Sequence, residues 1–136
     1  MRVRLLERIY RLSKALLTPM LKKYGHNRVA NNLMVISELA LKKPLFNCQM
    51  CGQCALHFSG MVCPMGCPKN LRNGPCGGVR QDETCEIKPE MKCVWVKAWA
   101  NSKEMRRFSQ EIYNVQPALD RSLQGTSAWI NEIRNR

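Results

Sequence analysis

Leu5, Leu6, Ile9, Leu12, Leu16 and Leu17 recur every three or four positions, with Arg2, Arg4, Arg8, Arg11 and Lys14 between them. That spacing lays one apolar stripe along a helix. Thr18-Pro19 has the form of an N-cap followed by a first-turn proline. The helix is therefore expected to break or kink there and to restart through Met20 to Tyr24, until Gly25 ends it. Val29, Leu33, Ile36 and Ala40 predict a second long helix from about residue 28, stopped by Lys42-Lys43-Pro44. Residues 1–43 thus form a basic amphipathic helical arm in this reading, either covering the rest of the domain or docking on a partner.

Neither the helical nor the strand period persists over residues 45–93, where proline and glycine are frequent, so this module is expected to be mostly loop. Its densest part, "CPMGCPKNLRNGPCGG" (residues 63–78), carries three cysteines, three prolines and four glycines. Such a segment suits backbone that wraps closely around something. Helical spacing returns at Trp95, Trp99, Met105, Phe108 and Ile112, predicting a third helical region that ends near Asn114. Thr126 or Ser127 can cap a short last helix with Trp129, Ile130 and Ile133 on one side. The expected fold is mainly α: a small domain with an irregular Cys/Gly/Pro-rich metal-binding loop module between amphipathic helices. Residues 44–136 make up the cysteine-rich cluster-binding domain with its C-terminal helices.

Composition narrows the picture. The chain has 136 residues, and its 45% hydrophobic content includes eight cysteines, so the core is modest. No apolar run approaches the roughly 18 residues of a membrane span. The N-terminus has neither an apolar signal region nor a small-residue cleavage site, and its arginine-rich pattern suits a structural helix better than a targeting presequence. A soluble, cytoplasmic chain is expected. The net charge of +12 is uneven: +8 over residues 1–47, +1 over 48–93 and +3 over 94–136. The basic excess lies away from the cysteines, and a solvated helix face or an acidic protein partner accounts for it without nucleic acid.

All eight cysteines, Cys48, Cys51, Cys54, Cys63, Cys67, Cys76, Cys85 and Cys93, fall within 46 consecutive residues. The count allows disulfides, two four-cysteine metal sites, or combinations. Cys48-x-x-Cys51-x-x-Cys54 can wrap three thiolates onto three corners of a cubane, as in bacterial ferredoxins, whereas structural zinc more often draws on two separated cysteine pairs. Cys63-Pro64 and Cys67-Pro68 echo the Cys-Pro of ferredoxin ligands, and glycines beside Cys51, Cys67 and Cys76 would let backbone amides approach sulfide. Spacing therefore favours two 4Fe–4S clusters and leaves zinc and disulfides as alternatives. Two cysteine-ligated clusters or two all-cysteine zinc sites would both turn the module anionic, so charge does not separate iron from zinc. By proximity the triplet shares one site, with Cys93 as its remote fourth ligand, and Cys63, Cys67, Cys76 and Cys85 form the other.

Other chemistry is sparse. His26 and His57 are expected to serve local hydrogen bonds, with His57 the outside candidate for a ligand or proton carrier. Trp95 and Trp99 are expected to shield the clusters from water. There is no nucleotide-binding glycine loop and no catalytic carboxylate pair.

The stretch "CPMGCPKNLRNGPCGGVRQDETCEIKPEMKCVW" (63–95), with "CQMCGQC" (48–54) upstream and "LQGTSAWIN" (123–131) downstream, resembles the C-terminal family of methylenetetrahydrofolate reductase over roughly residues 44–131. That family also occurs as a small subunit beside the flavin-bearing reductase barrel. The resemblance implies a non-catalytic iron–sulfur subunit of an oxidoreductase complex in one-carbon metabolism. It would pass electrons to or from the partner's flavin, with all eight cysteines as cluster ligands. Flavin, folate and hydride chemistry would belong to the partner. The competing reading is a structural zinc module that stabilises or regulates a partner without electron transfer.

Overall fold

A computed structural model of the chain describes residues 2–24 and 27–134. Gly25 and His26, with the helix end and the local role expected of them, lie outside the described residues. Among the described residues the protein is mainly helical and has no β-strand. Its α-helices are α1 (Arg2–Tyr24), α2 (Arg28–Phe46), α3 (Val94–Glu104) and α4 (Ala128–Arg134), supplemented by one-turn 3-10 helices at Pro64–Gly66, Glu111–Tyr113 and Arg121–Leu123. The chain divides into two compact units. One comprises Met1–Glu7 with Ala55–Ala118, and the other Arg8–Cys54 with Leu119–Arg136.

In the second unit α1 runs through Thr18-Pro19 without the expected restart. The Thr18 hydroxyl caps nothing and instead donates back to the Lys14 carbonyl at 2.6 Å. Leu17 and Leu21, on either side of the proline, both pack with Met34 and Ile130. That burial offsets the cost of a helical proline, about 3 kcal/mol. α2 begins where predicted, with the Asn27 side chain accepting the Val29 N–H at 3.1 Å. It continues past the expected stop: Pro44 sits in the last turn, and the helix ends at Asn47, whose left-handed backbone (φ 48°) aims its N–H at the Lys43 carbonyl. Asparagine tolerates that conformation better than most residues.

The apolar period located α2 but not its buried face. Val29, Leu33 and Ile36 are exposed, and the buried positions are Met34, Glu38 and Lys42, each four apart. The Glu38 carboxylate accepts Lys42 Nζ at 2.6 Å, the Ser127 hydroxyl at 2.5 Å and the Trp129 N–H at 3.2 Å. Ser127 is also the cap expected for the last helix, because its Oγ accepts the Ile130 N–H at 3.3 Å. One buried carboxylate thus ties α2 to the start of α4, where Trp129, Ile130 and Ile133 complete the core with Leu21 and Met34.

The other unit has a second buried carboxylate. Glu7 accepts the backbone N–H groups of Arg106, Arg107 and Phe108 at 3.0, 2.7 and 3.2 Å. Those amides turn to the carboxylate instead of prolonging α3, which is why that helix stops at Glu104 and not near Asn114. A separate turn at Glu111–Tyr113 follows. The unit's core joins Cys93, Trp95 and Ala98 with Val62, Val79, Val96 and Ile112. Gly60, at φ +60°, lies so close to α3 that a Cβ there would stand 2.3 Å from the Ala98 carbonyl oxygen.

Glu38→Leu leaves the buried Lys42 ammonium without its carboxylate, and losing one member of a buried pair costs about 3–5 kcal/mol. Urea unfolding followed by circular dichroism should show the transition midpoint fall by a corresponding amount with little change in slope.

Candidate metal centre

Cys48, Cys51 and Cys54 occupy the loop that leaves α2 in the second unit. Asn47 and Met50 adopt left-handed backbone (both φ 48°), and so does Gly52 (φ 72°), giving a tight coil in place of a helix. The coil points the Met50 N–H at Cys48 Sγ, 3.4 Å away, while the Cys51 thiol donates to the Gln53 carbonyl at 3.5 Å. Burial pushes the Cys48 thiol above its ordinary range, and the Met50 amide and the nearby Lys42 charge act in the opposite direction. Backbone amides and a cation beside sulfur are the groups that favour a thiolate.

The C-terminal segment holds this coil. Gly125 N–H donates to the Met50 carbonyl at 2.8 Å, Gln124 Nε2 to the Gln49 carbonyl at 2.7 Å, and Asn131 Nδ2 to the Gly52 carbonyl at 2.9 Å. Gln53 Oε1 in turn accepts the Asp120 N–H at 2.8 Å. Gly52 touches the same segment directly, since a Cβ there would lie 2.2 Å from the Leu123 carbonyl oxygen. The sequence offered one signal for these residues, the "LQGTSAWIN" stretch, but nothing in it showed that they bind the cysteine loop.

The remaining five cysteines lie in the first unit. Cys63 and Cys67 flank the turn at Pro64–Gly66, with Cys67 N–H bonded to the Pro64 carbonyl at 3.0 Å. Cys85 and Cys93 sit on facing segments joined by the Thr84–Lys92 bridge. There Cys85 N–H reaches the Met91 carbonyl at 3.0 Å and Cys93 N–H the Glu83 carbonyl at 2.8 Å. Cys76 is exposed. Lys69, bonded to Glu86, has its ammonium held above the usual lysine range first by that carboxylate and further by the Cys76 sulfur.

All eight cysteines are thiols in this structure, with no disulfide among them. That donor set fits thiophilic metals: it matches the chemistry of an iron–sulfur cluster and equally that of zinc. Among the described residues, no three cysteine, histidine or acidic side chains converge in a ready metal-binding group. Trp95 is buried against Cys93 and donates to the Leu71 carbonyl at 3.3 Å. Trp99 is placed differently. It is exposed, edge-on to Tyr113 at 5.6 Å, with Lys103 Nζ 5.0 Å from its ring centroid. Both indoles, with Gly74, Pro75, Tyr113 and Val115, line an apolar recess of about 490 Å³ next to the Cys76 loop. His57 is engaged locally, 3.8 Å from Glu111 and packed against Phe58 and Phe108.

A family model described as the C terminal of methylene-tetrahydrofolate reductase matches residues 28–122. The chain belongs to this family. No curated protein and no solved structure matches it. The methylene-tetrahydrofolate reductase C-terminal match begins upstream of the stretch that carried the resemblance, taking in α2 with Glu38 and Lys42, and it encloses all eight cysteines. Residues 1–27, which include α1, lie outside it, as do Gln124, Gly125 and Asn131.

Gly52→Ala combines an unfavourable φ with a collision against backbone, and is expected to cost about 2 kcal/mol or more. The same change should speed the reaction of the triplet thiols with a thiol-specific reagent under native conditions, measured against Gly125→Ala, where a Cβ meets nothing within 4 Å.

Proposed function

We propose that the protein is the iron–sulfur electron-transfer subunit of a methylenetetrahydrofolate reductase complex in one-carbon metabolism, exchanging electrons with the flavin of a barrel-shaped catalytic partner. The observation that carries this reading is the donor set: eight thiols and no disulfide, confined to the loops of a chain that belongs to this reductase family. Cys48, Cys51, Cys54, Cys63, Cys67, Cys76, Cys85 and Cys93 are the proposed ligands of two 4Fe–4S clusters. Bound there, the clusters would supply reversible one-electron exchange, which suits a flavin able to collect single electrons for a two-electron reduction.

The chain's own residues support such a centre. Met50 N–H offers a hydrogen bond to Cys48 Sγ, and hydrogen bonds to ligand sulfur are one lever on cluster potential. Lys42 beside Cys48 and Lys69 beside Cys76 place positive charge near the sulfurs, which would favour the acceptance of an electron. Trp95 excludes water on the Cys93 side. Metal binding would draw the loop thiols together, coupling the local fold to the ligand in the way common for small metal-binding domains.

The test is metal analysis of the anaerobically purified full-length protein. About eight iron atoms and matching acid-labile sulfide per chain are expected, with visible absorption that bleaches on reduction by a reduced flavin-bearing partner subunit. Cys48→Ala should remove about half of the iron, because the triplet serves one of the two clusters. A colourless protein holding zinc and no iron would instead establish a structural zinc module. Full iron that the partner flavin cannot reduce would leave a supporting subunit without electron transfer.

A further inference from the structure

Residues 2–47 contain two acidic side chains, Glu7 and Glu38, against ten lysines and arginines. Both carboxylates are buried and bonded within the fold, so the solvent-facing surface of α1 and α2 carries no carboxylate at all. Its exposed charges are all positive: on the second-unit part of these helices they are Arg8, Arg11, Lys22, Lys23, Arg28 and Lys43.

The same surface is apolar. Ile9, Leu12, Leu16 and Met20 recur at intervals of three, four and four, and are 50, 64, 74 and 48% exposed. From Ile9 to Met20 this stripe extends about 17 Å along the helix. Arg8 stands at one edge of it and Lys23 falls within it, with Lys22 and Arg11 farther round the flank opposite the core residues Leu17 and Leu21. On α2, Val29, Leu33 and Ile36 are likewise 62–64% exposed. Soluble monomers rarely leave aliphatic stripes of this length in water.

We propose that this face of α1, aided by α2, is a peripheral binding surface for an anionic lipid bilayer. A stripe of leucine, isoleucine and methionine edged by arginine, with no exposed acid, has the composition of a helix that lies in the headgroup region. Its cations complement the negative charge of anionic lipids. A protein partner fits less well: interface anchors are enriched in tryptophan and tyrosine, and helix pairing is normally specified by charges of both signs. A second copy would oppose two surfaces of the same sign. Nucleic acid would satisfy the arginines but leave the aliphatic stripe in water. Among the described residues no helix is long and apolar enough to cross a membrane, so the proposed attachment lies in the plane of the surface. It does not rest on the proposed chemistry of the cysteine loops.

The experiment is co-sedimentation of the full-length protein, prepared anaerobically, with phosphatidylcholine vesicles that contain or lack phosphatidylglycerol. The protein should bind the anionic vesicles, bind neutral ones at least about tenfold more weakly, and be released by raised salt. Leu12→Asp/Leu16→Asp should lower the anionic partition about tenfold or more, with an unchanged far-ultraviolet circular dichroism spectrum. Arg8→Gln/Arg11→Gln should weaken binding and flatten its salt dependence. Failure to bind, equal binding to both vesicle types, or binding insensitive to the leucine substitutions would overturn the proposal. A dimer in sedimentation equilibrium that the leucine substitutions dissociate, without vesicle binding, would assign the face to a second copy.

Discussion

Each compact unit is organised around one buried carboxylate. The chain leaves many of its large apolar side chains exposed, and its buried hydrophobic clusters are correspondingly small. Glu7 and Glu38 supply what those clusters lack, directional contacts between segments distant in sequence. Glu7 gathers three consecutive amides about a hundred positions away, while Glu38 gathers a lysine one turn on, a serine hydroxyl and the first turn of α4. Charge-assisted hydrogen bonds in a low-dielectric interior are strong only when every group finds a partner. The close geometry around both carboxylates meets that condition.

The Glu38 network bears directly on the cysteine triplet. α4 is anchored at Ser127 and Trp129, and the residues on either side of that anchor hold the triplet coil: Gln124 and Gly125 before it, Asn131 after it. Lys42, the partner of Glu38, is the cation that acts on Cys48. One buried ion pair therefore fixes the C-terminal clamp and places positive charge next to the first thiol.

Much of this was legible in the sequence, and the limits have physical causes. The starts of α2 and α4, the irregular module and the serine cap depend on local signals such as period, proline, glycine and capping chemistry. The continuity of α1 through Pro19 did not, because it depends on Leu17 and Leu21 packing with Met34 and Ile130, which no local pattern reports. The early end of α3 was hidden for a similar reason, since Glu7 competes for its amides from the far end of the chain. On α2 the apolar period marked a helix but not its orientation. The core takes Met34, Glu38 and Lys42 and leaves Val29, Leu33 and Ile36 outside, with Glu38 turned inward to the Ser127 hydroxyl and the Trp129 N–H, contacts that no local pattern in α2 reports. The cysteines were identifiable as a set by type and spacing, but their clamp was not, because most of its bonds run to backbone carbonyls of the coil and leave no mark in side-chain pattern.

The distribution of charge follows from the same two carboxylates. An acid on an amphipathic helix usually faces water and balances nearby lysines and arginines. Here the acids of α1 and α2 are drawn inward to hold segments together, so the outer surface of the helices keeps its cations and has no anion of its own. The aliphatic residues that would ordinarily occupy the buried face are displaced outward by the polar core of α2. A single packing choice, carboxylates in and leucines out, therefore yields the small polar core, the anchored cysteine coil and a cationic apolar face at once. The +12 net charge is set by composition, and the burial of these two acids decides that the outer face of α1 and α2 presents its cations unopposed.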